Sequence, residues 1–401
     1  MTDTPVQNEP TQRRQSFLTL GYRPFFLLGA LWAAGAMAMW VSMVAGGFTL
    51  PSRFDPVSWH AHAFLFGYLG SIIAGFLLTA VPNWTGRPPL VGGPLLALVL
   101  LWCAGRIAIA LSELLPLIPV IFVDLSFPFI LGALILREVI AGKNWRNVIV
   151  VVMLAVFTLA NLVFHLEAAR GDYAAKGYGL RLGLAAALMM ISIIGGRIIP
   201  TFTGNWLKNN ALNVQPVSPL QPFDKAVLLA TLIALSAWLC WPYEMVTGAS
   251  FIAISSLHAA RLARWKGIHT KAEPLVWVLH VGYACVPIGA FTLGLSILLP
   301  TFSGPAAAQH IWMAGAIGLM TLAVMTRATL GHTGCDLHAG RGTVLIYAAL
   351  IASVAARLSA GLWDQQSTAV YALSGTLWII AFAGFAAVYG ALLIRPKSVD
   401  N

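Results

Sequence analysis

Seven of the nine histidines of this chain fall within or at the ends of long apolar segments, where an ionisable side chain is costly and uncommon. His60 and His62 open one segment in Trp59-His60-Ala61-His62, His165 lies near the end of another, and His310 opens a third. His258, His280 and His332 lie towards the opposite membrane face. Neutral imidazole is the commonest protein ligand for haem iron and copper, so the chemistry this set suggests is metal coordination. At about 1.5 Å per helical residue, His60, His62, His165 and His310 reach a common depth near one face. His60 and His62 diverge by about 200° on a helix and cannot easily share one metal. One could bind a metal while the other binds a second metal, caps the helix or faces water. His269 and His338 sit in basic loops and read as solvated.

Arg106, Arg181 and Arg357 fall at the depth of this first set, and Arg197 on the other side. Guanidinium forks bind carboxylates well, and haem carries two propionates, so outer histidines with outer arginines are what a membrane haem with outward propionates needs. Plain pairing with protein carboxylates or helix-end capping accounts for the arginines equally well. The second set could make a copper site or ligate another haem, with His332 also suited to capping its helix. Met189, Met190, Met313, Met320 and Met325 read as packing. Cys103, Cys240, Cys285 and Cys335 form no short-spaced pair, so no disulfide framework is expected. There is no Walker A, HExxH or CxxCH pattern, and no GxGxxG in a strand context.

The elements that must hold these residues are membrane helices. Of 401 residues, 59% are hydrophobic and 9% charged, with a mean hydropathy of +0.80. A soluble domain carries roughly 25% charged residues. Backbone polar groups must be paired inside a bilayer, so the expected fold is all-α, a polytopic bundle of about twelve spans. Their expected limits are 18–46, 58–81, 91–112, 117–139, 147–168, 178–203, 224–242, 245–264, 273–299, 306–331, 342–362 and 369–394. Polar tails, 1–17 and 395–401, flank this transmembrane domain, 18–394. The first apolar run is too long for a signal peptide and reads as a retained span. Most Lys and Arg residues fall in loops on the side of the N-terminus, which predicts both termini in the cytoplasm. That topology accounts for the net charge of +10. The expected surroundings are a lipid bilayer, with no nucleic-acid partner. Spans 2, 6 and 10 each carry Thr-Gly near the inner end, at 85–86, 203–204 and 333–334, which suggests three four-helix units.

The blocks holding these residues resemble the NnrS family of bacterial inner-membrane proteins. They include Gly21-Tyr22-Arg23-Pro24-Phe25-Phe26, Trp59-His60-Ala61-His62 and Gly196-Arg197-Ile198-Ile199-Pro200-Thr201-Phe202-Thr203-Gly204-Asn205-Trp206. Pro274 to Tyr283, with His280, and His310 to Gly334 complete the match across nearly the whole chain. The resemblance implies a membrane protein containing haem b and copper that binds or turns over nitric oxide and protects against nitrosative stress in denitrification. The electron donor stays open, and so does the choice between catalyst and sensor. One departure is Ala63-Phe64 after Trp-His-Ala-His, where the family pattern has Glu-Met. A weaker similarity is to haem-copper oxidases and nitric oxide reductases, whose low-spin haem is held by histidines of spans 2 and 10. Here that implies His62 or His60 with His310. Spans 6 and 7 contain no histidine, so copper would fall to His165 or to the second set. The alternative from another class is a transporter for a metal complex or an anion, with histidines in its path.

Overall fold

The computed structural model describes residues 17–299, 301, 304–360 and 367–395. The expected tails lie almost wholly outside the described residues, as does the end of the eleventh expected span. Twelve long helices run in chain order: α1 Tyr22–Val44, α2 Pro56–Thr85, α3 Gly92–Ala110, α4 Leu117–Ala141, α5 Val148–Ala169, α6 Tyr178–Asn209, α7 Pro222–Cys240, α8 Met245–Ala263, α9 Pro274–Leu298, α10 Pro305–Thr333, α11 Arg341–Ser359 and α12 Ser367–Ile394. There is no strand among the described residues, and the protein is the expected polytopic helical bundle. Eleven of the twelve are long and apolar enough to cross a membrane. The exception is α8, which has the length but holds Ser255, His258 and Arg261 among its buried residues.

The helices at every fourth place form the centre. The apolar stretches of α2, α6 and α10 are 78%, 67% and 72% buried, against 33% to 56% for the other eight spans. Small residues let them approach: Gly183 of α6 faces Phe66 of α2, and Gly195 faces Met320 of α10. Tyr68 of α2 hydrogen-bonds to Thr321 of α10 at 2.7 Å. The ring is closed by α12, whose Trp378 indole donates to the Ala33 carbonyl of α1. This central trio fits three four-helix units, although Thr-Gly is not the common mark that the sequence suggested. Gly86 and Gly334 end α2 and α10 in the left-handed conformation, with φ of 68° and 79°. Gly204 instead lies inside α6, which continues to Asn209.

α2 and α10 share a feature that their hydropathy does not disclose. Each begins with a short α-helical stretch that ends at a histidine, His62 or His310, and then widens into a π-helical segment, Ala63–Tyr68 or Ile311–Leu319. Such widenings re-aim side chains and occur often at functional sites. In α2, two carbonyls of the wide turn accept indole N–H groups: Ala63 from Trp32 at 2.9 Å and Gly67 from Trp102 at 3.0 Å. All four cysteines are free.

Candidate metal centre

α2, α6 and α10 all begin at the same end of the bundle, here termed the first end. Pro56 at the first helical position and Asp55 as N-cap start α2, the Asp55 carboxylate accepting from Val57 and Ser58 N–H. That start fixes His60 and His62 in the first two turns, where they face different neighbours.

His62 turns into the bundle towards α4 and α5. Its Nε2–H donates to Asn161 Oδ1 at 2.9 Å and lies 3.1 Å from Asp124 Oδ2. His165 Nε2–H donates to the same oxygen at 3.0 Å, and so does Asn161 Nδ2–H at 2.8 Å. The other carboxylate oxygen is paired with the Arg106 guanidinium. All five side chains are buried. His62, Asp124 and His165 can each offer one ligand atom, and these atoms lie within 4.8 Å of one another.

A carboxylate oxygen offers about two lone-pair directions, and Asp124 Oδ2 is approached by three donors. A cation would relieve that crowding, because both imidazoles would then present a lone pair in place of N–H. Two imidazole nitrogens and a carboxylate oxygen suit copper or zinc. Arg106 and Asn161 orient the carboxylate from behind, as outer-shell partners of metal ligands do. Phe54 packs on both imidazoles, with ring centroids 5.2 and 5.4 Å away, and Phe164 also packs on His62. A void of about 10 Å³ opens beside Asp124, Arg106 and Asn161, room for one molecule the size of water or a diatomic gas.

His60 faces the other way, towards α10. Its ring stacks on Trp40 at 4.5 Å, and its Nδ1 is sealed from solvent without a hydrogen-bond partner. His310 and Arg357 are its electrostatic neighbours. His310 Nδ1–H donates to the Ala306 carbonyl at 2.7 Å, which leaves Nε2 as the ligand nitrogen. Arg357 approaches His310 at 3.4 Å, stacks on Tyr371 and meets no carboxylate among the described residues. Arg181 donates to the Lys176 carbonyl and lies over Tyr178. Arg106, by contrast, is committed to Asp124. The structure thus brings His62 to His165 and His60 towards His310.

The second set is not brought together. His258 is held by Thr231 and Tyr283, and His280 by Thr203. His332 is exposed and stacks on Tyr22. Asp124 and Asn161 were not foreseen as site residues. The available signals were a carboxylate within an apolar span, which is itself grounds for suspecting a site, and the spacing of Asn161 and His165, which puts both on one face of α5.

A family model described as NnrS protein matches residues 16–397. No curated protein matches the chain.

Proposed function

The chain belongs to the NnrS family, and from that premise we propose that it is a membrane metalloprotein, carrying copper and haem b, that binds or turns over nitric oxide. The observation that carries the reading is the buried set His62, Asp124 and His165, whose donor atoms converge on one point. Copper bound there would supply one-electron chemistry and an open position for a diatomic. His62 and His165 would hold it through Nε2, and the Asp124 carboxylate would offset its charge. Arg106 and Asn161 keep that carboxylate from rotating away, while Phe54 and Phe164 exclude water. Nitric oxide is small, uncharged and soluble in lipid, so it can reach a site within the bilayer without a built channel.

Haem would be held by His60 and His310 through ring nitrogens that have no protein partner, with Arg357 and Arg181 as candidates for its propionates, and it would supply electron transfer. The basic loops support an inner-membrane orientation with both termini cytoplasmic and the first end facing outward.

The test is metal analysis, optical spectra and copper electron paramagnetic resonance on the protein purified in detergent. The reading expects about one copper per chain, lost in His165→Ala and His62→Ala, and a b-type Soret band lost in His60→Ala and His310→Ala. Addition of nitric oxide should change the wild-type spectra. A colourless, copper-free wild-type protein would overturn it.

A further inference from the structure

The largest described cavity lies at the opposite, second end of the bundle, away from the His62 and His310 clusters. It has a volume of about 440 Å³ and opens where the inner halves of α2, α6 and α10 meet α1 and α9. Its polar lining includes Asn83 of α2, Asn205 of α6, and Arg327 and His332 of α10. Asn205, Arg327 and His332 make no side-chain hydrogen bond among the described residues, and of the three only Arg327 is partly shielded from solvent. Arg327 lies over the Phe202 ring at 4.1 Å and has no hydrogen bond among the described residues. The carboxylate it feels, Glu273, is already engaged by His338 and by the Leu275 and Ala339 N–H groups. His332 has only its ring contact with Tyr22. The wholly buried Tyr22 of α1 also lines the wall. A partly buried guanidinium with no hydrogen-bond partner, facing one space together with two amides, points to a ligand with oxygen acceptors.

The shape narrows the class. Aromatic rings wall the space, with Trp84, Phe76 and Phe202 among them. Phe76, Ile198 and Val324 also line a second cavity of about 90 Å³, which continues deeper between α2, α6 and α10. That chamber is bounded by side chains such as Leu69, Ile72, Met190, Ile194 and Met320. A polar, aromatic-walled space with an apolar extension suits a flat oxygen-edged ring that carries a hydrocarbon tail. We infer that this cavity binds a quinone or quinol, with the ring in the larger space, its oxygens on Arg327 and the Asn83 and Asn205 amides, and its prenyl tail in the apolar chamber. A haem is the poorer fit, because one guanidinium faces two propionates. The inference does not depend on the metal reading, since no residue is shared between the two places.

The experiment titrates the full-length protein in detergent with decylubiquinone and follows tryptophan fluorescence, to which Trp84 contributes. Saturable quenching is expected, smaller in amplitude in Trp84→Phe. Arg327→Leu should weaken binding by about tenfold. Leu279→Trp, which fills the cavity, should abolish it. Asn205→Ala, a milder change, should weaken it by roughly threefold, which keeps the test alive if a larger change unfolds the chain. His165→Ala should leave the affinity unchanged even if the metal is lost. Quenching that never saturates, or that persists in both Arg327→Leu and Leu279→Trp proteins of native elution volume, would overturn the inference. So would a Soret band lost in His332→Ala and Arg327→Leu, which would make this a haem cavity.

Discussion

Two buried constellations in this protein draw on nearly the same residue types and differ in what they leave unused. At the first end stand His62, His165, Asp124 and Arg106; at the second stand His258, Asp224 and Arg261, the last two forming a buried ion pair at 2.7 Å. The second leaves Arg261 Nη2 without a partner but occupies both ring nitrogens of its histidine. Thr231 gives its proton to the Val227 carbonyl, so its oxygen accepts from His258 Nε2–H. The Tyr283 hydroxyl donates to His258 Nδ1 and accepts from Arg261, which also donates to the Ser192 carbonyl. Both imidazole nitrogens are spent, and no lone pair is left for a metal. At the first end, three donors crowd one oxygen, and His62 Nδ1 has no partner. A buried histidine beside a buried ion pair is therefore no sign of a metal site by itself. The direction of each proton separates a structural network from a coordinating one.

The sharpest test of that contrast removes the two carboxylates. Asp124→Ala and Asp224→Ala each strand a buried arginine, and each should cost about 3–5 kcal/mol of stability, measured by thermal unfolding in detergent. Only Asp124→Ala should also empty the metal site. If Asp224→Ala strips the metal from a protein that still folds, the two regions do not differ in kind.

Exchanging the histidines comes next. His165→Ala should abolish metal binding at the first end with little change in unfolding temperature. His258→Ala should keep the metal and cost about 1–3 kcal/mol, because it leaves the Tyr283 hydroxyl without its acceptor. Metal loss in His258→Ala would mean that the second constellation participates.

Asn161→Leu tests the support behind the ligands. It removes a donor to Asp124 and an acceptor for His62, and should lower metal affinity by about 10- to 100-fold in a competition titration. An unchanged affinity would mean that Arg106 alone orients the carboxylate.

The smallest effect is expected from Gly67→Ala. A Cβ there would lie 2.5 Å from Arg106 Nη1 and 2.9 Å from Trp32 Nε1, so the guanidinium must shift. Metal affinity should fall a few-fold while Asp124 keeps its partner. A loss as large as that in His165→Ala would show that the π-helical turn of α2 sets the ligand geometry directly.

Much of the architecture was legible in advance because it follows from local composition. Runs of apolar residues long enough to cross a bilayer can only be helices there, so twelve helices came out close to their expected limits. The largest departure at a single end is in α6, whose polar last turns, Asn205 to Asn209, continue the helix past the apolar stretch. The four-helix repeat that puts α2, α6 and α10 at the centre was visible only as a faint echo in Thr-Gly, and its physical mark proved to be burial. The candidate site was half legible. His62 and His165 were suspected from their depth, but nothing in one sequence says that α5, and not α10, lies against the face of α2 that carries His62.

What the sequence by itself determined is the class of protein, its helices, and the depth of every histidine and arginine, since depth along a helix is a matter of counting residues. Only the tertiary structure decided azimuth and company. It sent His60 towards His310 and His62 to Asp124 and His165, and it spent Arg106 on a carboxylate. It also satisfied both nitrogens of His258, and it widened α2 and α10 after their histidines. The physical reason is that coordination needs donor atoms within a few ångströms of one another, and that proximity depends on how helices far apart in sequence rotate and pack.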